Sequence, residues 1–275
     1  LPEPLSSVTA LAMLEETLLL GGVSETGLAL VRLTPEGRSE ELPLPGSTEY
    51  LYALCPDGAG GAWLLCGSLP KGYFDAFGNF RFLSQEPEGK LALAHYDAAF
   101  ALQEIVLLQT LYTDRFFQLR RLDGGFCMMS ASLLVRLDET GAETARQSLD
   151  AKDGWSFAAM QETDGVLYAL TRNFYGIELP ELRKFTPDTL SALESDVCTS
   201  EITGLGLRAD GRLLMGNSEE LFAYDTGSGE TETLVRWQEI GANVLTEQPW
   251  ELEDGYLLFS PGDTSLQRLR RVPGQ

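Results

Sequence analysis

The chain has 275 residues, 44% of them hydrophobic, and 41 acidic against 20 basic residues leave a net charge of −21. The apolar fraction is enough for a packed core and argues against disorder, while so acidic a surface repels phosphate backbones and argues against nucleic acid as a partner. The acids are scattered among apolar runs, the pattern of a solvated surface, and the longest membrane-span candidate, Leu11 to Leu20, is broken by Glu15 and Glu16.

The chain opens on Leu1-Pro2-Glu3-Pro4, a polar, Pro-rich spacer without an initiator Met. Such a start is expected of a removed secretory or lipoprotein leader, or of an internal domain of a longer chain. A buried-strand signature then recurs about every 45 residues. It reads Thr17-Leu18-Leu19-Leu20-Gly21-Gly22, then Gly61-Ala62-Trp63-Leu64-Leu65-Cys66, then Gly125-Phe126-Cys127-Met128-Met129-Ser130. It returns at Gly165 to Leu170, Gly211 to Gly216 and Gly255 to Ser260. Copies of one buried strand imply copies of one supersecondary unit.

Each unit reads as four short strands, and the fourth shows it best. Trp155 to Met160 is its first strand, Val166 to Leu170 its second, Leu182 to Phe185 its third and Leu190 to Leu193 its fourth. The first turn carries Asp-Gly chemistry, as at Asp123-Gly124, Asp164-Gly165, Asp210-Gly211 and Asp254-Gly255. The second carries Thr34-Pro35-Glu36-Gly37, Asp138-Glu139-Thr140-Gly141 and Thr186-Pro187-Asp188. Asp accepts local backbone hydrogen bonds and Gly supplies positive φ, so both are hairpin turns with a mechanism. A meander sheet cannot bury both faces alone. Stacking sheets about an axis does so, and central strands that are apolar on both faces fit that arrangement.

The predicted fold is therefore all-β: a six-bladed β-propeller of four-stranded antiparallel meander sheets in one domain over 1–275. Its blades are expected near 7–46, 47–109, 110–153, 154–198, 199–243 and 244–275. In the sixth, Glu251 to Tyr256 and Leu266 to Val272 read as middle strands, and a fourth strand is not evident. The turn Tyr224-Asp225-Thr226-Gly227-Ser228-Gly229-Glu230, with Ala209-Asp210-Gly211 before it, resembles blades of the YVTN and quinoprotein-like β-propeller superfamily. The resemblance implies fold rather than activity. A narrower version of it, a propeller region of a bacterial extracytoplasmic lipoprotein or solute-binding protein, implies a place outside the cytoplasm and a further domain beyond this segment.

Cys55 and Cys66 flank one hairpin out of register, so free buried thiols are expected rather than a disulfide. No cysteine pair has the spacing of a zinc or redox site. The one histidine, His95, lies in Leu91-Ala92-Leu93-Ala94-His95-Tyr96, a predicted third strand, where a structural role is expected. Gly204-Leu205-Gly206 lacks the rest of a phosphate-loop pattern, so no cofactor is expected.

Candidate binding residues follow from the irregularities of the repeat. The second unit is longer by roughly 20 residues between its middle strands, over Gly67 to Lys90, and the insertion carries Tyr73, Phe74, Phe77 and Asn79 among other aromatics. This is either an extra hairpin packed on its own blade or a surface for a ligand or partner. A second enlarged connection, Thr171 to Glu181, brings Arg172, Asn173 and Tyr175 to the same predicted face. Blade entrances add Tyr50, Trp155 and Trp250, each near an acidic residue. Aromatic platforms with acidic neighbours suit sugars or cationic groups. The expected function is thus a non-catalytic module binding a protein or a small molecule, such as a carbohydrate, on the face of the 67–90 and 171–181 loops. The alternative is a propeller hydrolase or lactonase with a metal in its central channel. Asn173 and Asn217, after comparable second strands, with Glu49, Asp153 and Glu201 as neighbouring candidates, are the oxygen donors such a metal would draw on, but the lactonase motifs do not match and no residue is assigned as a ligand.

Overall fold

The computed structural model describes residues 4–15, 17–34, 36–46, 48–68, 72–74, 80–82, 90–149, 153–173, 175–176, 178–198, 200–240, 248–260 and 265–270. The strands form meander sheets in chain order. The first sheet holds β1 (Leu5–Leu14), β2 (Thr17–Ser24), β3 (Gly27–Leu33) and β4 (Ser39–Leu42). The second begins with β5 (Tyr50–Pro56) and β6 (Ala62–Gly67). It is interrupted by a two-stranded hairpin of β7 (Gly72–Phe74) and β8 (Phe80–Phe82), and resumes with β9 (Leu91–Tyr96) and β10 (Leu102–Leu107). The third holds β11 (Phe116–Leu122), β12 (Gly125–Ser130), β13 (Leu133–Asp138) and β14 (Glu143–Ser148). The fourth holds β15 (Trp155–Thr163), β16 (Val166–Asn173), β17 (Glu181–Phe185) and β18 (Asp196–Val197). The fifth holds β19 (Ile202–Leu207), β20 (Leu213–Asn217), β21 (Glu220–Tyr224) and β22 (Thr231–Arg236). The sixth holds β23 (Gln248–Leu252), β24 (Gly255–Ser260) and β25 (Ser265–Arg270).

Among the described residues there are thus five four-stranded sheets and a sixth of three strands, where six blades were expected, the sixth without an evident fourth strand. The hairpin turns follow the predicted chemistry. Thr163 pairs with Val166 across Asp164-Gly165, both at positive φ (53° and 71°), the two-residue geometry whose twist matches the strands it joins. Burial falls outward through each sheet. Every residue of β6, β12 and β20 is buried, whereas β10, β14 and β22 expose much of their length. That gradient is expected of sheets covered on both faces near their inner strands and wet at their outer edges.

The chain divides into two compact units, residues 1–130 with 134–146, and residues 131–133 with 147–275. Within the first, β1 packs beside β5 and β5 beside β11. Leu19, Leu30, Leu54, Leu64 and Tyr96 sit in the core between its first two sheets. Within the second, β15 packs beside β19 and β19 beside β23. Leu170, Leu182, Leu205 and Met215 fill the core of its fourth and fifth sheets, and Trp237, Leu214 and Tyr256 that of its fifth and sixth. Among the described residues no helix is long and apolar enough to cross a membrane.

Two strand expectations are corrected. Leu190 to Leu193 is not the fourth strand of its sheet; that strand is β18, two residues long. Pro187 has no N–H to offer a ladder, and Leu190 is held at φ 51° while fully buried, which breaks an extended run. The segment closes on itself through Leu190 N to Thr186 O (2.9 Å) and Thr186 N to Ser191 O (3.0 Å). Likewise Glu251 to Tyr256 is a hairpin rather than one strand, because Glu253-Asp254 forms the turn between β23 and β24.

The repeat also carries a feature the sequence did not announce. The first strand of each of the first five sheets shifts register near its start, between Val8/Ala10, Leu51/Ala53, Phe116/Gln118, Phe157/Ala159 and Ile202/Gly204. A bulge leaves one residue outside the ladder, and two of those residues, Thr9 and Thr203, fasten neighbouring sheets. Thr9 donates its hydroxyl to Leu51 O at 2.8 Å, and the Arg172 guanidinium donates to Thr203 O.

Candidate ligand-binding surface

The clearest gathering of predicted residues is at one end of the fourth sheet. β15 starts at Trp155, and its ladder partner there is Asn173, the last residue of β16. Beyond Asn173 the chain turns: Asn173 Oδ1 accepts the Tyr175 N–H at 2.9 Å, and Asn173 O accepts the Gly176 N–H at 3.1 Å. Asn173 Nδ2 also donates to Asp153 O at 3.4 Å, tying the connection to the strand entrance. This Asx turn lays the Tyr175 ring on Gly154, where a Cβ would fall 2.5 Å from a ring carbon. The φ of 74° at Gly154 favours glycine, and a side chain there would also push the Tyr175 ring aside.

The result is an aromatic surface with polar neighbours. Tyr175 is 69% exposed although its backbone is anchored, and Trp155 is half-buried. The Arg183 guanidinium carbon lies 5.5 Å from the Trp155 ring centroid, and Arg183 Nε donates to Glu181 Oε2 at 3.0 Å. Arg183 and Glu181 also line a cavity of about 160 Å³ with Gln147, Phe157, Lys184 and Ser195. Aromatic faces supply apolar contact and cation–π attraction, while the Arg–Glu pair and amides supply oriented donors and acceptors. Arg183 and Glu181 were not among the predicted residues: they sit on a third strand, and only the pairing across the sheet brings them to Trp155.

The other predicted residues are placed differently. Arg172 holds the fourth sheet to the fifth through Thr203 O. Trp250 is half-buried in β23, opposite Leu257. Tyr50 opens β5 in the first unit, 46% exposed, with its ring centroid 5.9 Å from that of Tyr52. Tyr73 and Phe74 lie in β7, paired with Arg81 and Phe80, so the 67–90 connection contains an added hairpin. Phe77 and Asn79 lie outside the described residues.

Two of the side chains considered for a metal, Asn217 and Asn173, have local partners. Asn217 Oδ1 accepts the N–H groups of Glu219 and Glu220, each at 2.8 Å, and its Nδ2 donates to Ser200 Oγ at 3.3 Å. Asn173 likewise spends its amide on a turn. Among the described residues no three His, Cys, Asp or Glu side chains gather as metal ligands. His95 sits in β9, as predicted, with Nε2 2.9 Å from Asp57 Oδ2 and its ring stacked 4.4 Å from Trp63. Burial opposes ionisation of Asp57, but hydrogen bonds from His95, Ala59 and Gly61 outweigh it and hold the carboxyl below its ordinary range. The trio clamps β9 to the turn between β5 and β6. All four cysteines are free; Cys55, Cys66 and Cys127 are buried and Cys198 is partly exposed.

No protein-family model and no curated protein matches this chain. Solved structures do. A streptogramin B lyase structure aligns over 99% of this chain and 85% of its own, at 12% identity and a TM-score of 0.60. A protein of unknown function from Bacteroides caccae aligns over 89% and 82%, at 13% identity and a TM-score of 0.54. A protein provisionally assigned as a 6-phosphogluconolactonase from Bacteroides fragilis aligns over 93% and 81%, at 12% identity and a TM-score of 0.52. At such identities the likeness speaks for fold and not for chemistry. Together with the successive antiparallel meander sheets and their inward burial, it identifies the chain as a β-propeller.

Proposed function

We propose that this chain is a six-bladed β-propeller acting as a non-catalytic binding module, and that the surface around Trp155 and Tyr175 receives a neutral carbohydrate. Tyr175 carries the reading: its ring, 69% exposed beside Gly154 on backbone anchored by the Asn173 turn, offers an aromatic face to a ligand. Preorganisation lowers the entropy lost on binding. Trp155 and the Arg183–Glu181 pair add a second ring and a fork of hydrogen-bonding groups beside it. The net charge of −21 favours neutral over acidic sugars. Within the same unit the proposal extends to Trp250 as a further contact and to Arg172 as the residue that steadies the enlarged loop; Tyr50, Tyr73, Phe74, Phe77 and Asn79 are proposed separately, as a binding surface of the first unit.

Affinity electrophoresis and calorimetry against a panel of neutral oligosaccharides test it. Tyr175→Ala and Trp155→Ala should each weaken binding by about tenfold or more, the scale of an aromatic hot spot, and Tyr175→Ala should leave the melting temperature unchanged. Retention of no saccharide, or retention indifferent to both substitutions, would overturn the reading. The second reading, a propeller hydrolase or lactonase, is prompted by the lyase and the provisional lactonase among the fold neighbours. It requires turnover of a lactone or cyclic ester that is lost when Asp153 or Glu201 is neutralised.

A further inference from the structure

The outermost strand of the fourth sheet has two residues, whereas β4, β10, β14 and β22 have four to six. Beside so short a strand, a cavity of about 190 Å³ opens among side chains of the fourth and fifth sheets. Leu182, Ile202, Met215 and Phe222 form its apolar lining, and all four are buried. Its polar end is different. Asp196 and Tyr224 line it, Tyr224 donates to Asp196 Oδ2 at 3.4 Å, and Lys184 Nζ lies 2.6 Å from the same oxygen. Asp196 Oδ1 takes no hydrogen bond among the described residues. Cys198 completes the wall.

We propose that this cavity is a binding site for a small neutral aromatic molecule bearing a hydroxyl group, a simple phenol. An apolar cavity of about 150 Å³ accepts benzene, so this one suits a single substituted ring. Met215 sulfur and the Phe222 ring favour an aromatic occupant. The free Asp196 oxygen accepts the phenolic proton, as a carboxylate has acceptor capacity beyond the two bonds it already makes. Lys184 already neutralises Asp196, so a cationic ligand would meet a like charge and an anionic one would face the carboxylate, each at a desolvation cost. The site shares no lining residue with the 160 Å³ cavity beside Trp155 and stands or falls independently of the carbohydrate surface.

Cys198 supplies the assay. Burial, then the neighbouring Asp196 charge, pushes its thiol up to about 11, so modification is slow enough to time. The native protein is treated with methyl methanethiosulfonate at mildly alkaline pH, with and without para-cresol, and Cys198 modification is followed by peptide mass spectrometry. Para-cresol should slow modification saturably, about tenfold at ten times its Kd, and toluene should bind about tenfold more weakly for want of the hydroxyl. Leu182→Phe, which fills the lining, should abolish the protection. If that variant does not fold, Asp196→Leu, which removes the acceptor, should erase the preference for para-cresol over toluene. Modification at an unchanged rate in saturating para-cresol, or equal protection by toluene, overturns the proposal.

Discussion

Replacing Tyr52 by Phe should make the protein more stable. Tyr52 is 5% exposed, and its hydroxyl oxygen is buried with no hydrogen-bond partner among the described residues. Burial, reinforced by Tyr50, drives its ionisation well above the usual phenol range. A buried hydroxyl without a partner costs about 1–3 kcal/mol in mutational data. Phe keeps the ring and its packing, so Tyr52→Phe should gain about 1–2 kcal/mol, or about 2–4 °C of melting temperature per kcal/mol. Two other buried tyrosines make the comparison strict. Tyr96 is also buried, but its hydroxyl donates to Pro43 O at 2.7 Å, and Tyr112 donates to Glu143 Oε2 at 2.6 Å. Tyr96→Phe should lose about 1 kcal/mol and Tyr112→Phe about 1.5–3 kcal/mol, the second acceptor being charged. Urea unfolding followed by tryptophan fluorescence, with the three variants in parallel, reads the signs directly. Should Tyr52→Phe lose as much stability as Tyr96→Phe, the hydroxyl has a partner and the reasoning is wrong.

Gly22→Ala should be severely destabilising, by about 3 kcal/mol or more, because its Cβ would fall 1.9 Å from Ser7 O, a backbone atom that can move only by parting β1 from β2; thermal melting checks it. Asp57→Asn should lower stability at neutral pH. The folded carboxyl lies below its ordinary value, so its contribution is complete above the unfolded pKa of about 4 and fades as the pH drops through the lower folded pKa. The gap between wild type and variant, measured by urea unfolding across the acid range, should therefore close at low pH, and a constant gap would count against the His95–Asp57 clamp. Asn217→Ala strips the acceptor from the N–H groups of Glu219 and Glu220. It should cost about 1–3 kcal/mol, seen as a lower urea midpoint at unchanged slope.

The blade pattern was legible because its causes are local. An Asp-Gly pair can adopt positive φ wherever it falls, as at Asp164-Gly165, and a run such as Ala62 to Cys66 is apolar on both faces because both faces are covered. The candidate surface was legible only in part. Tyr175, Asn173 and Trp155 stood out as an enlarged loop beside a strand entrance, but Arg183 and Glu181 reach Trp155 only through the ladder of β16 with β17. The reading of Leu190 to Leu193 as a strand failed for a related reason. Its apolar content fits a strand, yet Leu190 is buried at positive φ by a wide turn whose hydroxyl network, Thr186–Thr189–Ser191, no strand template includes.

By itself the sequence determined a repeated antiparallel meander, the position of its tight turns, free cysteines and a structural histidine, since each depends on residue chemistry within a few positions along the chain. Only the tertiary structure decided the bulges that fasten Thr9 to Leu51 and Arg172 to Thr203, the clamp of His95 on Asp57, and the cavity over Met215 and Phe222. Those arise where one sheet meets the next, where distant strands of one sheet come together, or where a strand stops short. The energies concerned, a hydrogen bond made across tens of residues or a void beside a shortened strand, have no signature in the period of the chain.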